Sequence, residues 1–196
     1  NDKDRDIVQF FEVARNRTDE LVEWCRRTPF SEELHNEWGR AFYRGERPDD
    51  PVERAGRFLF LRYSQFAGKY HNHSGFKRDT LRARTGESRS WANTPKKIRE
   101  TVDRLQGVSI QRDDFGEVVD RYDDEDTVFY FDPPYVEKEG LYPAAEGFDH
   151  ADLADAVNQL DGDVLISYTD LPPHLYDDWN VIERTAQHNA GSREEG

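Results

Sequence analysis

Two short apolar runs, residues 127–131 (TVFYF) and 164–168 (VLISY), do most to restrict how this chain folds. Each is β-branched and aromatic without a break, the composition of a parallel strand buried on both faces. Between them, residues 149–160 place Leu153, Val157 and Leu160 on one face of a helix. Residues 115–122 form a further short helix, and residues 108–111 and 179–183 are expected as further short strands. Strands alternating with helices predict an α/β fold built on a parallel sheet.

The first half of the chain has a different pattern. Residues 4–16 carry Ile7, Val8, Phe11 and Ala14 at helical spacing. Thr18 is expected to cap a helix through residue 27 that turns Leu21, Val22 and Cys25 inward. Ser31 caps a third helix with Leu34 and Trp38, and residues 45–51 (GERPDDP) are a loop. Residues 52–66 and 94–105 return to helix, the latter with Ile98, Val102 and Leu105 on one face. Residues 67–90 between them are polar, Gly-punctuated and basic, with no convincing period, and read as an irregular recognition loop.

The chain has 196 residues, enough for one domain with a small insertion. Cys25 is the only cysteine, so no disulfide forms within the chain; a small buried apolar role and a reducing, cytoplasmic setting are expected. No run of about 18 apolar residues is present to span a membrane, and no signal peptide is visible. The net charge of −14 weighs against nucleic-acid binding at first sight. Its distribution reverses that reading. Residues 57–104 carry twelve Arg or Lys against four Asp or Glu, a net of +8, while the remainder is at −22. The acidic excess, with Arg favoured over Lys, is also what a halophile's cytoplasm selects.

Residues 127–131 run straight into Asp132-Pro133-Pro134-Tyr135. In open α/β sheets ligands bind just beyond the carboxyl ends of strands. The prolines fix φ and lack N–H groups, so the Pro133 carbonyl is held stiffly outward. Asp132 offers a carboxylate beside it, and Tyr135 a flat face. This set suits the exocyclic amine of a base. Two acceptors bias the delocalised nitrogen toward a nucleophilic form, and the ring stacks a base flipped from its duplex. The remaining work is positioning. The scheme needs no metal, and no His/Cys cluster has ligand spacing; His71 and His73 read as polar loop residues.

At these residues the chain resembles the Dam-like, DPPY-bearing amino-methyltransferases that act on adenine in DNA. The resemblance implies a Rossmann-like S-adenosylmethionine-dependent methyltransferase sheet with a mainly helical target-recognition insertion. The catalytic domain would comprise residues 1–28 and 106–196, and the insertion residues 29–105. It implies Asp132, Pro133, Pro134 and Tyr135 as catalytic residues, with Asp132 also near the cofactor. Asn1-Asp2, followed by Asp4, Ile7, Val8 and Phe11, looks like the family's second cofactor motif, in which Asp2 would accept the ribose hydroxyls. Asp114-Phe115 looks like its adenine-pocket motif. Read alone, Asp2 is better taken as a helix cap or a frayed terminus, and Asp114-Phe115 reads as well as a cap with a core aromatic. Residues 147–150 (GFDH) and 164–168, with Asp170, match the helix and strand that follow, placing Ser167 and Tyr168 near the base pocket. Leu141-Tyr142, in the loop after Tyr135, would touch the substrate.

Residues 62–70 (RYSQFAGKY) resemble the family's target-recognition region and lie in the basic island. Lys69, Lys77, Arg78, Arg82 and Arg84 would mostly grip phosphate, with Asn72 or an Arg reading base edges. Double-stranded DNA is the expected partner, with a cognate restriction endonuclease a further one. The resemblance also calls for a Phe-x-Gly-x-Gly loop before Asn1 and another strand after Gly196. The chain lacks both and has no methionine, so a chain cut at both ends, weak in turnover by itself, is expected. Two other readings stay open: a DNA-binding remnant without catalysis, and an amino-methyltransferase acting on RNA.

Overall fold

The structure, a computed structural model, describes residues 1–66, 72–78, 86–136 and 147–184. Six helices come first: α1 (Arg5–Asn16), α2 (Thr18–Arg27), α3 (Glu32–Tyr43), α4 (Pro51–Ser64), α5 (Glu87–Ala92) and α6 (Thr94–Arg104). Then follow α7 (Phe115–Tyr122), β1 (Val128–Phe131), α8 (His150–Val157) and β2 (Asp163–Ile166). Side-chain caps set three of the early starts. Asp4 accepts from the backbone N–H groups of Asp6 and Ile7, Ser31 from that of Leu34, and Asp50 from that of Glu53, with Pro51 opening α4. Thr18, expected as a cap, is instead the first residue of α2. Only Arg17 separates α1 from α2, so an end carbonyl of α1 lies within reach, and Thr18 Oγ1 donates to Ala14 O at 2.6 Å.

The helices α1 to α6 enclose one core. Leu21, Val22, Cys25, Ala55, Phe60, Leu61, Trp91 and Ile98 are all buried in it. Phe60 stands edge-on to Trp38 and to Trp91, with ring centres 5.1 Å apart in each pair, an arrangement aromatic quadrupoles favour. The burial that makes Cys25 apolar also pushes its thiol up to about 12. Asp6, only 6% exposed, bonds Arg47 at 2.8 Å and Arg54 at 2.7 Å, tying α1 to α4 and the loop before it. Its burial alone would raise the carboxyl, but the two guanidinium groups outweigh that and hold it below its ordinary value.

A second core forms around α8, where Leu153, Ala154, Val157 and Tyr176 meet Phe115, Phe131, Val164 and Ile166. The strands β1 and β2 are parallel, with Val128 opposite Asp163 and Phe131 opposite Ile166. The register is fixed at both ends. Asp163 N–H donates to Thr127 O at 2.9 Å, and Ser167 N–H to Phe131 O at 3.0 Å. Below them the Asp123 carboxylate accepts from Asp161 and Gly162. Gly162 is required there, since a Cβ would sit 2.7 Å from Thr127 O.

Three expectations are corrected. Residues 108–111 make no ladder; Gln111 O accepts one backbone bond, from Asp2, and Val108 O takes the side chain of Arg15. Residues 179–183 form no strand either. Trp179 instead turns its Nε1 to Asn158 at 2.8 Å, anchoring the segment by a side chain. Finally, β1 is not buried on both faces: Phe129 is 8% exposed but Val128 64% and Tyr130 67%, with Leu165 of β2 at 60%. Among the described residues α8 covers one face of the pair and nothing packs over the other. The architecture shown is a mainly helical α/β fold with a two-stranded parallel sheet.

Candidate active site

The carboxyl end of β1 opens into a cleft of about 650 Å³, within the range that holds a cofactor-sized ligand. Four chain segments meet there, one of them bringing Phe148 and Leu153 from α8 and the residues just before it. Asp132, Pro133, Pro134 and Tyr135 enter from β1, Asp114 and Phe115 from the start of α7, and Asn1, Asp2 and Lys3 from the N-terminal segment.

The N-terminal segment is stitched to residues 111–113 before α7. The Asn1 side chain donates to Asp113 O at 3.0 Å and accepts from Asp113 N–H at 2.8 Å, and Asp2 N–H donates to Gln111 O at 3.2 Å. Asp2 therefore stands at the cleft beside Asp114. It also accepts from Asp4 N–H at 2.7 Å, so it shapes the turn into α1 as well. Burial raises its carboxyl above the ordinary value, against the lowering effect of that Asp4 bond. Asp114 is held low. Lys3 Nζ lies 2.7 Å from its Oδ2, and its Oδ1 accepts from Gly116 N–H as the cap of α7. Phe115 lines the cleft and packs edge-on against Phe148. Cap and cleft residue are thus the same atoms seen from two sides.

Asp132 is exposed and Pro133 buried beneath it. The carboxylate is not left to swing: Ser167 Oγ donates to Asp132 Oδ1 at 2.7 Å. Tyr168, next in sequence, points to the opposite face. Its hydroxyl meets His150 Nδ1 at 3.0 Å and the Tyr176 hydroxyl at 3.4 Å, inside the second core, and burial raises it. Ser167 is thus brought to the Asp132–Tyr135 loop and Tyr168 is not.

Of the basic residues, Lys77 and Arg78 lie elsewhere, on the helical half. Lys77 pairs with Glu87 at 2.9 Å and Arg78 with Glu32, while Asn72 is exposed. His73 stacks on the buried His35 at 4.9 Å; burial holds His35 below its ordinary value. Lys69, His71, Arg82, Arg84, Leu141 and Tyr142 lie outside the described residues. No helix among the described residues is long and apolar enough to cross a membrane.

The family model of the D12 class N6 adenine-specific DNA methyltransferases matches residues 1–190, nearly the whole chain. The chain belongs to this family. Comparison with curated proteins finds no match. Membership gives a D12 methyltransferase its reaction, S-adenosylmethionine-dependent methylation of adenine N6 in DNA. The resemblance read from Asp132-Pro133-Pro134-Tyr135 is therefore correct. Sequence reasoning passed over two residues of this D12 methyltransferase. Lys3 pairs with Asp114 across 111 positions, and no local pattern signals that. Tyr130 stands two positions before Asp132 on the same strand face, a relation that strand alternation does make legible.

Proposed function

We propose that the cleft at the end of β1 is where this methyltransferase brings adenine and cofactor together. The observation that carries the reading is convergence: the Asp132–Tyr135 loop, the Asp2 turn and the Asp114 cap line one cavity although they are far apart in the chain. The cavity's chemistry fits a nucleoside-bearing cofactor. Two carboxylates offer acceptors for hydroxyl and amino groups, and Phe115 offers an apolar face. Asp2 and Asp114 with Phe115 would hold that part of S-adenosylmethionine, which when bound supplies an electrophilic methyl group. The raised carboxyl of Asp2 and the Lys3 bond to Asp114 set how much negative charge this wall carries.

On the substrate side, Asp132 and the carbonyl of Pro133 accept the two N6 hydrogens of adenine. Both acceptors favour the pyramidal nitrogen over the planar one, which frees the lone pair for attack. Tyr135 stacks on the base, which must leave the duplex to reach the loop. Removing one such acceptor costs on the order of 10²–10³ in rate, by analogy with other preorganised polar sites.

In this reading residues 1–28 and 106–196 belong to the catalytic domain and 29–105 to the target-recognition insertion. The parallel pair β1–β2 belongs to a Rossmann-like sheet. The charge asymmetry supports it: the +8 stretch of residues 57–104 falls wholly inside the insertion, where Lys77, Arg78 and their neighbours would exchange Glu87 and Glu32 for DNA phosphate. The test is nucleoside analysis of duplex DNA after incubation with the chain and labelled S-adenosylmethionine. N6-methyl-2′-deoxyadenosine as the labelled product is expected; label on deoxycytidine, or on RNA or protein offered in parallel, would overturn the reading.

A further inference from the structure

The open face of the sheet carries a chain of hydroxyl groups that ends on Asp132. Tyr130 Oη donates to Ser167 Oγ at 3.1 Å, and Ser167 Oγ donates onward to Asp132 Oδ1 at 2.7 Å. The register explains why these three residues meet. Phe131 pairs with Ile166 in a parallel ladder, so the next residues, Asp132 and Ser167, fall side by side. Side chains alternate along a strand, so Tyr130 shares the face of Asp132, and Leu165 opposite it shares the face of Ser167. Backbone bonding continues the ladder one step further, from Ser167 N–H to Phe131 O, and this holds the Ser167 Cα in place.

We propose that Ser167 and Tyr130 are positioning residues that orient the Asp132 carboxylate for the amine. The proposal rests on the reading of Asp132 as the N6 acceptor. Each hydroxyl has one proton and spends it toward the carboxylate, so the direction of the chain is set. Tyr130 gives to Ser167, which leaves the single serine proton for Oδ1 of Asp132. With Oδ1 so engaged, the carboxylate plane is fixed and Oδ2 is the oxygen that serves the base. An exposed carboxylate without this hold would turn about its Cβ–Cγ bond and present neither oxygen reliably. Tyr130 is 67% exposed, so packing does little to place its ring; the hydroxyl bond does. The role assigned to Ser167 is thus different from contact with the base itself.

The experiment compares Ser167→Ala, Ser167→Thr, Tyr130→Phe and Leu165→Ala, the last disturbing the same sheet face without touching a hydroxyl. Single-turnover methyl transfer, DNA KM and cofactor Kd are measured for each. Ser167→Ala should slow transfer about tenfold, as expected for one hydrogen bond to a charged group. Tyr130→Phe should slow it about threefold, with Ser167→Thr and Leu165→Ala close to the parent. KM and Kd should hold in all four. Equal losses from Leu165→Ala, no loss from Ser167→Ala, or a loss confined to DNA KM would each overturn the proposal. A second measurement does not depend on turnover. The infrared carboxylate band of Asp132, assigned by its absence in Asp132→Asn, should shift in Ser167→Ala; an unshifted band overturns the relay. If the unaltered chain methylates no adenine while the band does shift, the assignment of function fails and the relay stands.

Discussion

The two cores of this chain are built to different standards of closure. Around Phe60 and Leu61, α1 to α6 enclose a core of fully buried residues and bury even a charge: Asp6 sits between two arginines. Around β1 and β2, only one sheet face is covered among the described residues, and Val128, Tyr130 and Leu165 stand in the open. The closed region holds its residues by packing. The open region holds its key residues by hydrogen bonds, from Ser167 to Asp132 and from Lys3 to Asp114. The proposed site lies in the second kind of region: a site must leave polar atoms accessible, and what packing cannot fix there must be fixed by directed bonds.

Substitutions that separate the two regions sharpen the contrast. Phe60→Ala, in the closed core, should cost about 3–5 kcal/mol of unfolding free energy in a denaturant titration, from lost transfer and a cavity. Asp6→Asn should cost about 3 kcal/mol, because two partly buried guanidinium groups lose the buried counter-charge between them. Acid should reproduce part of that loss. The folded Asp6 carboxyl lies below its unfolded value, so its contribution is complete above the ordinary carboxylate range and disappears as pH falls through the folded value. Thermal unfolding from pH 7 downward should therefore show a falling midpoint in the parent and a flatter one in Asp6→Asn. A smaller effect is expected at the cleft. Asp2→Ala should weaken S-adenosylmethionine binding about tenfold by calorimetry, the value of roughly one charged hydrogen bond, with little change in stability. Least of all, Leu165→Ser on the open face should alter stability by no more than about 0.5 kcal/mol. A large loss there would mean that this face is covered in solution.

Much of this was legible in the sequence. The period of residues 4–16 gave α1 nearly to the residue, the Ser31 cap gave the start of α3, and residues 115–122 match α7 throughout. The parallel pair was legible because its two runs are apolar almost without a break and bounded. Residues 108–111 and 179–183 were misread as strands because scattered apolar and β-branched residues have β character, but a strand exists only where a neighbour accepts its hydrogen bonds. Thr18 shows how a hydroxyl that suits a cap is diverted when the preceding helix ends one residue away. Of the site, the Asp132–Tyr135 loop was readable from residue types alone. The double duty of Asp114, as helix cap and cleft wall, merges two readings that composition could only set side by side. Lys3 was hidden because an ion pair between distant positions leaves no local trace.

The central claim is that Asp132 acts on adenine N6 at the end of β1. Transfer of labelled methyl from S-adenosylmethionine to an adenine-containing duplex, compared between the unaltered chain and Asp132→Ala, tests it most directly. The rate should fall by about 10²–10³ in the variant, while its cofactor affinity and unfolding midpoint stay near those of the parent. A variant that methylates adenine at an undiminished rate would contradict the assignment of the site.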